Sequence, residues 1–158
     1  MTGFSLPRIA LAATLRLTAG ERRRGEIYVM ERGPQHTGPE TPLEMLNRSE
    51  GFFPFRPENG AGGAVLLVTK ARTVTLSVPR GAAAQDPARV SAAKQARIEL
   101  TLADGSTLLG WATVELPEHH SRLLDYLNAS AGPFFAVTTD DAVHFVNRAH
   151  VLYARPQE

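Results

Sequence analysis

The side chains best equipped for chemistry in this chain are three consecutive arginines, Arg22, Arg23 and Arg24, with Tyr28 just behind them, and five histidines, of which His119 and His120 are adjacent. Arginines beside an aromatic ring suit single-stranded nucleic acid, where the cations track phosphates and the ring stacks on a base. Arg148, with Asn147, Phe145 and Tyr153 nearby, makes a second grouping of that kind. Against this use, Glu21, Glu26 and Glu31 interrupt the first run, and 17 Lys+Arg balance 16 Asp+Glu to a net charge of +1. Such a balance gives no field that draws nucleic acid or an anionic membrane. The histidines could be imagined as metal ligands, His119 and His120 with His36, or His144 with His150. Ligands must converge on one point, and His144 and His150 would stand about 20 Å apart along an extended strand. Solvated loop histidines are the expectation, with no metal.

Catalytic signatures are missing. There is no cysteine, which removes disulfides, thiolate zinc sites and thiol nucleophiles. No Gly-x-Ser-x-Gly elbow, phosphate-binding glycine loop or dinucleotide fingerprint is present. Ser130 precedes Gly132 but follows a helical pattern, the reverse of a nucleophile elbow. Asp104 and the pair Asp140-Asp141 sit where turns are expected, and carboxylates favour turn geometry there. A cyclic-dinucleotide site would pair the arginine run with a polar motif that Asn128-Ala129-Ser130-Ala131-Gly132 does not match. No enzyme and no cofactor are expected.

The elements that must position these residues occur twice. Leu15 to Gly20, continuing to Gly25 and Val29, lines up with Leu100 to Gly105, continuing to Gly110 and Val114, and both glycines keep one offset of 85. Leu43-Glu44-Met45-Leu46-Asn47, with Ser49, Gly51 and Phe52-Phe53 behind it, lines up with Leu124-Asp125-Tyr126-Leu127-Asn128, Ser130, Gly132 and Phe134-Phe135. Ala64 to Arg72 then lines up with Ala142 to His150. Order and spacing agree three times, which points to an internal duplication.

Each unit opens with an alternating strand, turns at Ala19-Gly20 or Asp104-Gly105, and returns through a strand whose glycine, Gly25 or Gly110, marks a bulge or bend. A short helix follows. Thr41 caps the first, with Pro42 at its first position and Glu44 completing a capping box. Ser121 caps the second. Leu46 and Leu127 anchor these helices, and Asn47 and Asn128 stop them, since asparagine accepts the left-handed conformation. Strands at Phe52 to Phe55, Val65 to Thr69 and Thr73 to Val78 close the first unit; strands at Phe134 to Thr138, Ala142 to Asn147 and His150 to Arg155 close the second. The expectation is a mainly β chain: two tandem small β-barrel-like units in the SH3-like or Sm-like style, each with one short helix. The first spans residues 9–79 and the second 96–156. Residues 80–95 form a linker, in which Asp86-Pro87 either caps a short helix or belongs to open chain.

The second unit resembles a small bacterial domain family of unknown function, known by an Asp-Gly hairpin, an Arg-x-x-Asp-Tyr-Leu-Asn segment and a Val-Asn-Arg strand. Here these are Asp104-Gly105, Arg122 to Asn128 and Val146-Asn147-Arg148. The resemblance implies the fold and brings no activity. The first unit departs from it, with Leu43-Glu44-Met45 and Thr69-Lys70 at the corresponding places.

The function expected is a non-enzymatic protein-interaction or regulatory module with a protein partner, a homodimer included. Its candidate surface comprises Arg22, Arg23, Arg24, Tyr28, His119, His120, Asn147 and Arg148. Binding of RNA or single-stranded nucleic acid is the alternative. The N-terminal apolar run, Ile9 to Leu15, is too short for a signal or spanning helix, so a cytoplasmic location without membrane contact is expected.

Overall fold

Alternating apolar and polar residues place one face of a strand inward and the other outward, and here they build hairpins first. The computed structural model describes residues 8–31, 38–58, 63–81, 94–114, 121–128 and 132–157. Strands β1 (Arg8–Leu17) and β2 (Arg22–Met30) meet at Gly20, and β6 (Lys94–Leu102) and β7 (Thr107–Val114) meet at Gly105. Both glycines have φ near +88°, a region that side chains with a Cβ avoid. At the second turn Asp104 Oδ1 accepts the Ser106 N–H at 3.0 Å.

Helix α1 (Pro42–Asn47) carries the expected capping box. Thr41 Oγ1 accepts from Glu44 N at 3.1 Å, and Glu44 Oε1 accepts from Thr41 N at 2.8 Å. After it come β3 (Phe52–Pro57), β4 (Leu66–Thr69), a 3-10 turn (Lys70–Arg72) and β5 (Thr73–Pro79). The second half follows the same order: α2 (Ser121–Asn128), β8 (Phe134–Thr138), β9 (Ala142–Asn147), a 3-10 turn (Arg148–His150) and β10 (Val151–Pro156). Residues 82–93 of the expected linker, with the short helix considered there, lie outside the described residues.

All ten described strands are antiparallel members of one open sheet, in the order β10-β6-β7-β8-β9-β5-β1-β2-β3-β4. The pairings β1·β2, β2·β3, β3·β4 and β1·β5 recur as β6·β7, β7·β8, β8·β9 and β6·β10. Even the irregularity recurs. Val74 is the extra residue where β5 runs along β1, and Leu152 is the extra residue where β10 runs along β6.

Three expectations need correction. Neither half closes into a barrel, because the outer edge of β5 is taken by β9 of the other half rather than by β4. The halves do not separate into two bodies either. Phe134, Val143 and Phe145 from the second half belong to the core cluster of the first, with Leu15, Ile27, Leu46, Phe55 and Leu76. Val74 crosses the other way, joining Ile98, Leu100, Ala112 and Phe135. Finally, of the bulge or bend expected at Gly25 and Gly110, the bulge is ruled out, since the hairpin register runs unbroken through both. Their lack of a Cβ admits the next strand. A Cβ on Gly110 would stand 2.7 Å from the Thr138 carbonyl oxygen, and one on Gly25 would overlap the Arg56 carbonyl.

Candidate functional site

The arginine run lies on β2, where successive side chains alternate between faces. Arg22, Arg23 and Arg24 are exposed, but Arg23 pairs with Glu21 and points opposite to its neighbours. The three do not form one stripe along which a phosphate backbone could run. Tyr28 is half-buried, its ring lies 5.8 Å from the Arg56 guanidinium, and its hydroxyl is buried. That ring is already covered on a face a base would need.

Asn147 and Arg148 face inward to backbone groups. Arg148 Nε donates to the Leu127 carbonyl at 3.1 Å and Nη2 to the Tyr126 carbonyl at 3.3 Å, while Nη1 reaches Gly132 and Phe134. The guanidinium thus satisfies the last carbonyls of α2, where helices have unpaired acceptors, and packs over the Phe135 ring at 5.2 Å. Its pKa is lowered by burial. Lys70 does the same for α1, with Nζ donating to the Met45 and Arg48 carbonyls at 2.9 and 3.1 Å. Burial likewise lowers its pKa, aided by Arg48. Asn147 Nδ2 donates to the Lys70 carbonyl at 3.1 Å, tying the halves together. His119 and His120, and His36 with them, lie outside the described residues.

Asn47 is not a left-handed stop, because no described non-glycine residue has positive φ. Its carboxamide reaches across to the second half instead. Phe134 N donates to Asn47 Oδ1 at 2.8 Å, and Asn47 Nδ2 donates to the Phe134 carbonyl at 3.2 Å. Gly132 passes directly over that carboxamide with φ of 146°. Asn128, the corresponding residue of α2, is exposed.

Where the halves meet, a polar cleft of about 260 Å³ is lined by Thr14, Arg16, Arg22, Ser77, Ser106 and His144 among others. Arg16 spans it to Asp104 at 3.1 Å. Burial acts to raise the Asp104 pKa, but the two hydrogen bonds from Ser106 and the Arg16 partner outweigh it and hold the carboxyl below its usual range. His144 Nδ1 lies 2.6 Å from Ser77 Oγ and Nε2 lies 3.2 Å from Thr139 Oγ1. A neutral imidazole serves both hydroxyls, donating at one nitrogen and accepting at the other. Burial lowers the His144 pKa; nearby Asp141 opposes that and Arg16 adds to it. Among the described residues no group of three or more His, Asp or Glu could hold a metal ion, and no helix is long and apolar enough to cross a membrane.

His144 carries a pH prediction. Its pKa is lower folded than unfolded, so below the ordinary value near 6.5 the unfolded chain takes the proton first. Stability should be full above that pH and fall as pH drops toward the lowered folded value. Asp104 responds only further into acid, below its ordinary value of 3.8. Urea midpoints should therefore decline between about pH 7 and pH 5, and His144→Gln should flatten that decline.

Large apolar side chains are exposed on α2, at Leu124, on β7, at Leu109 and Trp111, and at the two ends of the sheet. At the β4 end Phe52 is 61% and Leu67 74% exposed, with Val65 and Leu66 beside them; at the β10 end Leu152 is 61% and Tyr153 59% exposed. Motif reading misses these positions, yet a signal exists. Val65 to Val68 is four apolar residues in a row, the pattern of a strand buried on both faces, here on a strand with only one neighbour among the described strands.

No family model, no curated protein and no solved structure matches this chain, so the geometry carries the functional argument.

Proposed function

We propose that this chain is a non-enzymatic protein-interaction module, a duplicated β unit whose working surfaces are the two edges of its sheet that no described strand pairs. The recurrence of one pairing pattern in both halves supports the duplication. The observation that carries the interaction reading is the exposure of Phe52, Leu67, Leu152 and Tyr153 at sheet ends. Edge strands are ordinarily blunted by charge, proline or a cover, because unpaired N–H and C=O groups invite another strand. Large apolar side chains there favour a partner that supplies both a strand and a surface.

The alternative, single-stranded nucleic acid, has one feature in its favour. Trp111 is 42% exposed, and the Arg97 guanidinium lies 5.6 Å from its ring, a stacked pair at the surface. Fluorescence anisotropy with labelled single-stranded RNA at about 50 and about 300 mM salt separates the two readings. Weak binding at both is the expected result. Tight binding that collapses with salt would overturn the interaction-module reading.

A further inference from the structure

We infer that the two free edges are complementary and join copies of this chain head to tail, β4 of one copy pairing antiparallel with β10 of the next. This deepens the proposed function and rests on reading the halves as copies of one unit. The chain already contains one such junction. Inside it β5 pairs with β9, Leu76 opposite Phe145 and Thr75 opposite Val146. By the recurring pairing order, β4 holds in the first half the place that β9 holds in the second, and β10 holds the place of β5. The outer edges of β4 and β10 are therefore the same two surfaces that meet at the internal junction, each lacking its other half.

The side chains agree. At the internal junction Phe134 and Phe145 leave their own half for the core of the first, and Val74 enters the core of the second. Their counterparts by register are Phe52, Leu67 and Leu152, the three most exposed large apolar residues at the sheet ends. Residues that serve their own half are buried in both copies of the pattern, as Phe53 and Phe135 are. At the sheet ends, exposure falls on the positions whose counterparts cross the junction.

The polar parts correspond as well. Asn47 clasps the Phe134 backbone beneath Gly132. Asn128 is exposed, and a Cβ on Gly51 would meet no described atom within 4 Å beyond its chain neighbours. In the assembly Asn128 of one copy takes the Phe52 backbone of the next, and the register places Ala154 opposite Leu67 and Tyr153 opposite Val68. Such a contact uses two different surfaces, so it builds a closed ring or an open chain of copies.

Two blocked chains test it, one with Phe52→Ser and Leu67→Lys, the other with Leu152→Lys and Tyr153→Ser. All four residues are exposed, and circular dichroism with urea melts checks that each variant folds. By light scattering after gel filtration the wild-type chain should run as a multiple of its 17.1 kDa, each blocked chain alone as a monomer, and their equimolar mixture as a heterodimer. Asn128→Ala should weaken wild-type association roughly tenfold, as loss of an interchain hydrogen bond does, with monomer melting unchanged. A blocked chain that still dimerises alone would mean symmetric pairing of like edges and would overturn the head-to-tail scheme. So would a wild-type chain that stays monomeric at all concentrations, or a mixture that does not pair. None of these touches the interaction-module reading, which fails separately on the RNA measurement.

Discussion

Phe134→Ala should cost about 3 to 5 kcal/mol and should destabilise both halves together. The ring is 2% exposed and sits in the core cluster of the first half, although its strand belongs to the second. Removing it leaves a cavity beneath α1 and loosens the backbone segment that Asn47 holds from both sides. The chain has one tryptophan, Trp111 on β7, which reports on the second half, whereas far-UV circular dichroism reports on the whole sheet. The two urea transitions should coincide in wild type and shift together in the variant. A tryptophan transition that stays in place while the circular dichroism transition splits would show that the halves unfold independently. Phe52→Ala, at the exposed counterpart position, should stay within about 0.5 kcal/mol of wild type in the monomer.

Leu46→Ala should cost about 2 to 5 kcal/mol, and more than Leu127→Ala. Sequence places the two leucines in the same role, but Leu46 is fully buried among Ile27, Phe55 and Phe134, while Leu127 is only partly buried against the second cluster. Leu46 is 0% exposed, so truncating it leaves a cavity inside the core rather than a notch at the surface. Asn47→Ala should cost on the order of 1 to 2 kcal/mol, since it strips the Phe134 N–H of its side-chain acceptor and the Phe134 carbonyl of one of its two side-chain donors. Asn128→Ala should change monomer stability hardly at all, its side chain being exposed. Urea melts of the four variants check the order Leu46, Asn47, Asn128 and the gap between the leucines. Equal losses at Leu46 and Leu127 would show that the two helices are anchored alike.

Each helix end is held by a different cation. Lys70 reaches the α1 carbonyls from a site 6% exposed, with Glu40 and Glu50 acting to keep it charged. Arg148 does the work for α2 with a longer, planar fork that meets four carbonyls. Sequence alignment of Lys70 with Arg148 marks the correspondence, but which face either side chain turns to is not written in the residue type. The same holds for the arginines of β2: their charge suggested a binding surface, and only the pleat shows that they point to opposite sides.

Local chemistry was legible in the sequence alone. The capping box at Thr41-Pro42-Glu44, the glycine turns at Gly20 and Gly105, and the strands of the second half at Phe134–Thr138 and Ala142–Asn147 depend on neighbours a few positions away, and they form where the pattern places them. Tertiary structure decided how the strands close. Hydrophobic alternation tells that β5 and β4 each need a second neighbour, and it is equally satisfied if they take each other or if β5 takes β9. Choosing β9 opened both expected barrels into one sheet, merged the two cores through Phe134, Phe145 and Val74, and left β4 and β10 as the ends of the described sheet. That choice rests on packing between residues some seventy positions apart, a free energy that no local period encodes.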